Sequence, residues 1–467
     1  MSEQKNENEP IRDEKQTALG KGLRKQAPRS SHGDWAPAAD RPDPLSLLQK
    51  QDEGRLKQLL PIKYGRMLAS PFAFLRGSAV VMASDLASSP VTGLDVALCG
   101  DAHLSNFGIF ATPERDVVFD INDFDETYPG PWEWDLNRLA ASAVVAGRGN
   151  GFDDETCQKL AAAVASSYRK SIAHFATMPI LDVWYYHVDA TSVIKLFDKY
   201  AQKSAKQTKK TVKKARSHTT AHTLDQLTQV VDGKRQIKNA PPLVVRLSDL
   251  LTDSQKEQIA SQGDVQKVWQ EYLESLPEER RVLLKRYHLT DAALRVGGVG
   301  SVGTRVTIAL FEGSKADDAL ILQQKEADHS SLEAYLTKRD YPSQAQRVVV
   351  GQRLIQASSD IFLGWHQASS GTQYYWRQLK DMKGSFDVTT FDTNGLAAYL
   401  AVCGVCLARA HARSGDPAAI SGYLGSSDVF DKAISKFALA YADQTVRDHQ
   451  ALVDAVNSGQ IVAEAGI

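Results

Sequence analysis

The alternation of apolar and polar positions is clearest in the last third of the chain. Val306, Ile308 and Leu310 alternate with small or polar residues, and this period of two is typical of a β-strand. Gly313 then turns the chain, and residues 320–325 predict the next strand. Further strands are predicted over residues 117–119, 294–296 and 374–379.

Most of the remaining chain has the apolar spacing of helices. Leu136, Leu139 and Ala140 share one face of a predicted helix, and Asp135 just before them is a candidate N-cap. Further helices are predicted from near residues 44 and 153, over 344–354 and 396–412, in segments between 242 and 288, and at the C-terminus.

Composition restricts the classes of protein. Residues 1–44 have almost no large apolar side chains, so we expect them to be disordered. The 467 residues include 55 basic and 56 acidic ones, a net charge of −1 that offers no case for binding nucleic acid or an anionic membrane. No apolar run approaches the ~20 residues of a spanning helix, and the N-terminus lacks the apolar core of a signal peptide. We therefore expect a cytoplasmic protein.

Cys403 and Cys406 have the spacing of half a zinc site or of a redox pair. They lie within an apolar helical stripe, and no second Cys or His pair with metal-ligand spacing is visible. We therefore interpret them as small buried core residues.

Two polar runs in the first third of the chain carry candidate chemistry. The first, residues 99–106, places Asp101, His103 and Asn106 close together. The second, residues 119–126, contains the acids Asp120, Asp123, Asp125 and Glu126. Carboxylates this close repel one another unless a cation neutralises them, and oxygen ligands suit Mg²⁺. The runs predict either a magnesium site made by Asn106 and one of these aspartates, or an acidic surface turn with capping aspartates.

A glycine-rich segment lies between two predicted strands. It contains Gly298, Gly300, Ser301 and Gly303, and the following strand carries Lys325. A dinucleotide-binding fingerprint requires a helix after the glycines, whereas a kinase loop over nucleotide phosphates requires a second strand and then a strand with a lysine. The order here favours the kinase-like loop, in which glycines let backbone N–H groups approach phosphate oxygens.

Residues 100–106 resemble the catalytic loop of kinase-like phosphotransferases, the group that contains aminoglycoside, choline and methylthioribose kinases. Residues 123–135 resemble the metal-binding strand end and the helix start that follow in this group. The matching positions are Gly100, Asp101, His103, Asn106, Asp123, Asp125, Gly130, Pro131 and Asp135. Cys99 departs from the pattern, because many relatives have histidine there.

A larger block resembles one bacterial family more closely, the family catalogued as domain of unknown function 2252. The similarity runs from about residue 45 to the C-terminus and includes residues 74–77, 132–136 and 408–416. It implies a kinase-like fold and leaves the substrate open.

The resemblance implies an α+β protein: a protein-kinase-like two-lobed fold with a mostly helical large lobe and a small antiparallel β lobe. In an ordinary kinase the glycine loop precedes the catalytic loop, but here it follows, so the implied arrangement is circularly permuted. The expected segments are 45–180 with the catalytic loop and metal-binding strand, 181–288 with helices and a basic run, 289–385 as the nucleotide lobe, and 386–467 as a helical return to the large lobe.

The resemblance also implies roles for the two polar runs. Asp101 would orient or deprotonate the acceptor hydroxyl, with His103 as a hydrogen-bonding neighbour or a structural histidine. Asn106 and Asp123 would bind Mg²⁺, with Asp125 as a further ligand. The Asp corresponding to Asp135 hydrogen-bonds the catalytic loop in kinases, a role compatible with capping.

For ATP, the resemblance implies that the glycine segment covers the phosphates, Lys325 contacts them, and adenine binds at Gln378 and Leu379. Kinases pair this lysine with a helix glutamate, but residues 335–386 contain none. Glu333 lies only eight positions after Lys325, so the partner of the lysine stays open.

Three other features have two interpretations each. Arg76 would meet a phosphate or pair with a carboxylate. Arg413 and Asp416 would line the same cleft and bind substrate, or they would serve the ends of helices. Nine basic residues between Lys195 and Arg216 would form a solvated helix face or contact a polyanion.

Three functional classes follow. The favoured one is an ATP- and Mg²⁺-dependent phosphotransferase acting on a hydroxyl of a small molecule that the sequence does not identify. The alternatives are a catalytically inactive nucleotide-binding or regulatory protein, and a kinase fold that transfers a nucleotidyl group.

Overall fold

The structure is a computed structural model of the chain. It describes residues 12–466 apart from 219, 253, 255–263, 316–317 and 380–381. The described residues form a mixed α and β protein that is 54% helical and whose sheets are antiparallel. The expected α+β class is therefore confirmed.

Helices occur in every third of the described chain. The first group is α1 Arg12–Leu23, α2 Pro44–Gln51, α3 Leu60–Met67, α4 Pro71–Gly77, α5 Ala79–Leu86, α6 Glu133–Gly149, α7 Asp154–Phe175, α8 Ile180–Tyr185, α9 Ala190–Tyr200, α10 Gln202–Ser217, α11 Thr220–Leu227 and α12 Leu247–Leu250. The described helices that follow are α13 Asp264–Glu274, α14 Glu278–Leu284, α15 Gln344–Ile355, α16 Thr393–Ser414, α17 Pro417–Leu424 and α18 Val429–Asn457.

The described strands form one large sheet and three small ones. They are β1 Asp95–Leu98, β2 Phe107–Ala111, β3 Val117–Ile121, β4 Tyr128–Pro131, β5 Val188–Asp189, β6 Thr228–Val231, β7 Lys234–Ile237, β8 Val244–Arg246, β9 His288–Arg295, β10 Val306–Glu312, β11 Ala319–Glu326, β12 Gly364–Gln367 and β13 Gln373–Gln378. The large sheet has the order β12-β13-β11-β10-β9-β8. The small sheets are β1-β4, β2-β3-β5 and β6-β7.

The large sheet is covered on both faces, which the alternation in β10 did not predict, because alternation indicates only a strand. Ile308 and Leu310 pack in a cluster with Leu224 of α11, whereas Phe311 packs in another with Tyr272 of α13. Successive side chains of a strand point to opposite faces, which explains the two clusters. The predicted strands at 306–310, 320–325 and 374–379 are confirmed, apart from the last residue of the third.

The register of this sheet positions two predicted features. Val306, the first residue of β10, pairs with Lys325 of β11. Lys325 therefore lies beside the end of the glycine segment, residues 297–303, which joins β9 to β10. The sheet also reaches beyond the predicted segment 289–385, because β8 pairs with β9. The expectation of helices alone between 242 and 288 is wrong at β8.

The main core lies among long helices. Leu139 and Ala140 of α6 are fully buried, which confirms the predicted apolar face, and Trp132 before α6 stacks on Tyr168 of α7. Among the described helices, α16 alone is long and apolar enough to cross a membrane, against the expectation of no such run. However, 78% of its most apolar stretch is buried inside the protein, where it packs on α7.

Cys403 and Cys406 lie on α16 as buried free thiols, which confirms their interpretation as core residues. Across the described ranges, no group of His, Cys, Asp and Glu residues has an arrangement that could hold a metal ion by itself.

The basic run occupies α9 and α10. Its nine basic side chains are all exposed, while Phe197, Thr208 and Val212 on the same helices are buried. Lys209 forms an exposed ion pair with Asp198, 2.8 Å apart. The solvated helix face is therefore confirmed, and polyanion binding stays a prediction.

The expectation of disorder over residues 1–44 is wrong for the part that the structure describes. Helix α1 packs against α17 with backbones in close approach: a Cβ at Gly20 would lie 1.9 Å from the Ala419 carbonyl oxygen, and one at Gly422 would lie 2.2 Å from that of Thr17. Arg24 donates to two carbonyl groups of α17. Close backbone contacts of small residues, polar contacts, and the packing of Leu23 and Trp35 on the main core order this segment. Residues 1–11 lie outside the described residues.

Candidate active site

The loop after β1 is held by a buried carboxylate. The N–H groups of Cys99 and Gly100 donate to the two oxygens of Asp135, at 2.8 and 3.0 Å. His411 of α16 contacts the same carboxylate at 3.3 Å. Gly100 has a φ of +83°, and a Cβ there would lie 2.1 Å from the Glu126 carbonyl oxygen, so the turn requires glycine.

Asp135 is therefore an anchor of this loop. The expectation that it caps a helix is wrong: α6 already begins at Glu133, so Asp135 lies in its first turn. From there its side chain reaches back to the loop instead of to a helical N–H group.

Asp101 has one oxygen engaged and one directed towards histidine. Arg138 of α6 binds Oδ1 through Nε at 2.8 Å and through its terminal nitrogen at 2.7 Å. Oδ2 lies 3.6 Å from Nε2 of His103. Asn106 donates to the Asp101 carbonyl oxygen at 2.7 Å and closes the loop. Burial lowers the pKa of His103 to about 4, so this histidine is neutral at pH 7, and its Nδ1 is buried without a partner in the described structure.

The acidic residues of the second run have separate environments. Asp120 is buried in an ion pair with Arg409 of α16, with both of its oxygens within 2.7 Å of one guanidinium nitrogen. Oδ1 of Asp123 is buried and has no hydrogen-bond partner among the described residues. Burial raises the pKa of Asp123, but the cations Lys325, Arg377 and Lys383 outweigh it and lower the pKa to about 2.

Lys325 finds its acidic partner in the same run. Its ammonium group pairs with Oδ2 of Asp125, and the Tyr375 hydroxyl donates to Oδ1 at 2.7 Å. Burial lowers the pKa of Lys325, but the Asp125 carboxylate more than compensates and raises it. Glu333 binds His329 at 2.7 Å instead. The open question of the lysine's partner is thereby answered by Asp125, a residue expected to bind metal.

The glycine segment is fixed at its base and open at its tip. Arg66 and Arg55 donate to the carbonyl groups of Gly297 and Val302, and the N–H of Leu56 donates to Gly303. A Cβ at Gly298 would meet no described atom within 4 Å. Packing therefore does not demand glycine at 298, whereas close approach of a ligand would.

These features line one cleft of about 440 Å³, a volume within the ~300–1,000 Å³ typical of ligand sites. It lies between the glycine segment with Lys325 and the loop of Asp101. The predicted residues that line it are Arg76, Asp101, His103, Asn106, Asp123, Asp125, Gly298, Gly300, Ser301, Lys325, Gln378 and Leu379.

Several lining residues were not predicted. Arg295, Arg377 and Lys383 add positive charge to the cleft, beside Lys325. Val296 alone separates Arg295 from the glycine segment, and Arg377 follows three aromatic residues in β13. These positions in the sequence were the signals that could have identified the two arginines. The register of the strands was needed to show which of the charges face the cleft.

Three predicted residues do not line the cleft. Gly303 has a φ of +92° and packs on Arg55, so its role is in the turn. The expectation that Arg413 and Asp416 line the cleft is wrong. The guanidinium of Arg413 lies 3.9 Å from the ring centre of Trp184, and Asp416 caps α17 by accepting from the Ala419 N–H at 2.9 Å.

The expected adenine contacts are partly engaged within the protein. The N–H of Gln378 donates to Asp360, and that of Leu379 donates to the Ile321 carbonyl group at 3.0 Å. Residues 380–381, which continue this segment, lie outside the described residues.

The oxygen atoms that line the cleft fit one Mg²⁺ ion that is bound by only one or two protein ligands. Asp123 offers a buried carboxylate oxygen without a partner, and Asn106 offers an amide oxygen nearby in the cleft. Mg²⁺ keeps several waters and uses substrate phosphate oxygens, so one or two protein ligands suffice. Both oxygens of Asp125 are engaged by Lys325 and Tyr375, which argues against Asp125 as a further ligand.

Comparison with known proteins identifies a family and no individual relative. No curated protein and no solved structure matches it. A family model described as "Uncharacterized protein conserved in bacteria (DUF2252)" matches residues 55–455, which is most of the chain. The chain therefore belongs to this bacterial family.

Proposed function

We propose that this protein is an ATP- and Mg²⁺-dependent phosphotransferase acting on a hydroxyl group of a small molecule. The observation that carries the proposal is the single cleft in which a lysine strand and a glycine segment face an aspartate loop. Phosphoryl transfer asks a protein for positioning and for cations against spreading negative charge, with little covalent chemistry. The residues that line this cleft include both polar groups that can position a substrate and cations.

The corresponding fold is a protein-kinase-like two-lobed fold in circularly permuted order. β9, the glycine segment, β10 and the lysine strand β11 follow the order that a kinase phosphate-covering loop requires. Segment 289–385, extended by β8, would form the small lobe. Segments 45–180 and 386–467 would form the large lobe, and 181–288 would connect the two. Function depends on the assembled site, whatever the chain order.

Three cations would bind the triphosphate. Lys325, Arg377 and Lys383 all act on the carboxylate of Asp123, so they surround the part of the cleft where phosphates would lie. Asp125 would replace the kinase helix glutamate as the group that holds Lys325 in position. The sequence alone showed no clear acidic partner for this lysine, and that gap was the reason to consider an inactive protein.

Asn106 and Asp123 would hold Mg²⁺, which would neutralise charge on the phosphates when bound. Asp101 would orient the acceptor through its Oδ2, because Arg138 occupies Oδ1. The acceptor oxygen would form a bond to the γ-phosphorus, the bond from that phosphorus to the bridging oxygen of ADP would break, and the hydroxyl proton would pass to Asp101 or to solvent.

The test begins with calorimetric titration of ATP with and without Mg²⁺. We expect Mg²⁺-dependent binding, followed by phosphorylation of a component of a metabolite extract, detected by mass spectrometry. Binding without any turnover would identify an inactive nucleotide-binding protein. Transfer of adenylyl in place of phosphoryl groups would identify a nucleotidyl transferase, and absence of binding would overturn both the function and the fold assignment.

A further inference from the structure

The cleft has a second end that the proposed nucleotide contacts do not use. Arg76, Gly77 and Ala79, from α4 and α5, line it together with Gln51 at the end of α2. Arg138 joins α4 to Asp101, because it donates to the Leu75 carbonyl group at 2.6 Å and pairs with Oδ1 of Asp101 at 2.7 Å. The helices α2, α4 and α5 thus border the cleft on the side of Asp101, where an acceptor would bind.

The glycine segment closes over this end. Its backbone is fixed to residues 55–66 by Arg55, Leu56 and Arg66, and a Cβ at Gly300 would lie 3.5 Å from the Arg76 carbonyl oxygen. The acceptor end is therefore walled by α4 and by the glycine segment. A small molecule fits such a space better than a polypeptide substrate.

Arg76 is a cation at this end that no described carboxylate pairs with. Nε of Arg76 is buried and has no hydrogen-bond partner among the described residues. The nearby carboxylate of Asp101 is already bound by Arg138. Burial lowers the pKa of Arg76, and repulsion from Arg66 adds to that effect against the attraction of Asp101. The Arg76 side chain is only partly exposed, and a cation withdrawn from water without a paired anion is unfavourable, so an anionic ligand would stabilise this arrangement.

The acidic side chains near this end are engaged. Oδ1 of Asp101 is bound by Arg138, and the carboxylate of Glu126 accepts from the N–H and the hydroxyl of Ser331 at 2.6 and 2.9 Å. A cationic acceptor such as an aminoglycoside or choline would be repelled by Arg76, and Asp101 would offer it Oδ2 alone.

We propose that the acceptor is a small hydroxylated anion whose carboxylate or phosphate pairs with Arg76 while its hydroxyl faces Asp101. This inference rests on the proposed phosphotransferase function, and it narrows the substrate class to hydroxy acids and phosphorylated polyols or sugars.

The experiment uses the full chain loaded with Mg²⁺ and a non-hydrolysable ATP analogue, so that the γ-phosphate position is filled. Acetate, inorganic phosphate and choline are then titrated by calorimetry. We expect acetate or phosphate to bind, the better of the two identifying the anionic group, and choline not to bind. Arg76→Gln should weaken the binding of that anion by at least about tenfold, which is the contribution of a hydrogen bond to a charged group. The affinity for the ATP analogue should stay unchanged.

Two further variants make the result interpretable. Arg76→Lys keeps the charge and should retain most of the anion binding even if Arg76→Gln is less stable. Arg280→Gln is the control. Arg280 lies at the surface beside Glu279, which is 65% exposed, and its substitution should change neither anion binding nor analogue binding.

Each remaining outcome decides against one proposal. If neither anion binds the loaded protein, if binding survives in Arg76→Gln, or if choline binds, the acceptor class is wrong while the proposed function stands. If Arg76→Gln instead weakens the analogue, Arg76 is a nucleotide contact and the inference falls. If the analogue itself does not bind, the proposed function fails.

Discussion

The acid run of residues 119–126 and the polar cluster of residues 411–416 look alike in the sequence, because each adjoins an apolar element and carries several charged groups. In the structure they differ in whether a buried unpaired atom lies at the cleft: Nε of Arg413 is also buried without a described hydrogen-bond partner, but Arg413 does not line the cleft. Asp123 keeps a buried oxygen without a described partner at the wall of a cleft. Asp416 caps a helix and Arg413 packs on a tryptophan ring. A charged side chain indicates a site when its atoms remain available, and its presence in a polar cluster is not enough.

The same contrast exists inside the acid run. Asp120 and Asp123 are three positions apart, yet Asp120 forms a closed ion pair with Arg409 in the core. Asp120 therefore contributes to stability, and Asp123 is left for a ligand. The sequence alone left Asp120 and Asp416 as further candidate acids, but both have structural roles.

The largest effect is expected for Asp123→Ala. This change removes the proposed Mg²⁺ ligand and should abolish detectable Mg²⁺-dependent ATP binding in calorimetry. Asp416→Ala is the matched control: it should bind ATP normally and lose only about 1 kcal/mol of stability with its helix cap. Unchanged metal dependence in Asp123→Ala would remove the site assignment.

Asp101→Asn should separate chemistry from binding. The substitution keeps the shape of the side chain and one acceptor oxygen but removes the charge, so ATP-Mg²⁺ binding should stay near normal. Turnover should fall by ~10²–10⁴-fold, the usual contribution of a general base. Steady-state rates with the identified acceptor measure it, and turnover equal to that of the parent protein would refute the role of Asp101.

Asp120→Asn should act on stability. Arg409 would be left buried without its charged partner, and breaking a buried pair costs about 3–5 kcal/mol. Urea unfolding measures the loss. The control Glu155→Gln breaks an exposed pair with Lys159 and should cost less than about 1 kcal/mol. A similar small cost in both variants would contradict the structural role of Asp120.

Lys325→Ala compares a cation in the cleft with one on the surface. It removes a charge-assisted contact to the phosphates and should weaken ATP binding by ~10–100-fold. Lys209→Ala, from the exposed face of α10, should leave ATP affinity unchanged. Equal affinities for the two variants in calorimetry would place the phosphates away from Lys325.

The last prediction concerns the pH dependence of stability. His103 has an ordinary pKa of 6.5 when unfolded and a pKa lowered to about 4 by burial, so below pH 6.5 the unfolded chain binds the extra proton. The free energy of unfolding should therefore fall by about 1 kcal/mol per pH unit between pH 6.5 and 4 from this residue. His103→Gln should show a shallower slope in urea unfolding at several pH values, and an equal slope would contradict the burial of a neutral histidine.

The sequence by itself determined the elements whose signals are local. The period of two in β10 and the helical spacing in α6 and α16 each depend on neighbours two to four positions away, and these elements form where predicted. The resemblance of the two runs to kinase-like phosphotransferases selected Asp101, Asn106 and Asp123, which the fold brings into one cleft.

Only the tertiary structure decided which charged groups pair. Asp125 and Lys325 are 200 positions apart, and Asp120 and Arg409 are 289 apart. No local period encodes such contacts, because they depend on how strands register and helices dock after the chain has closed long loops. The docking of α1 on α17 is of the same kind, since it depends on Gly20 and Gly422 meeting a distant backbone. Once those pairings are made, Oδ1 of Asp123 and Nε of Arg76 remain among the buried atoms without a described partner, and both side chains line the cleft.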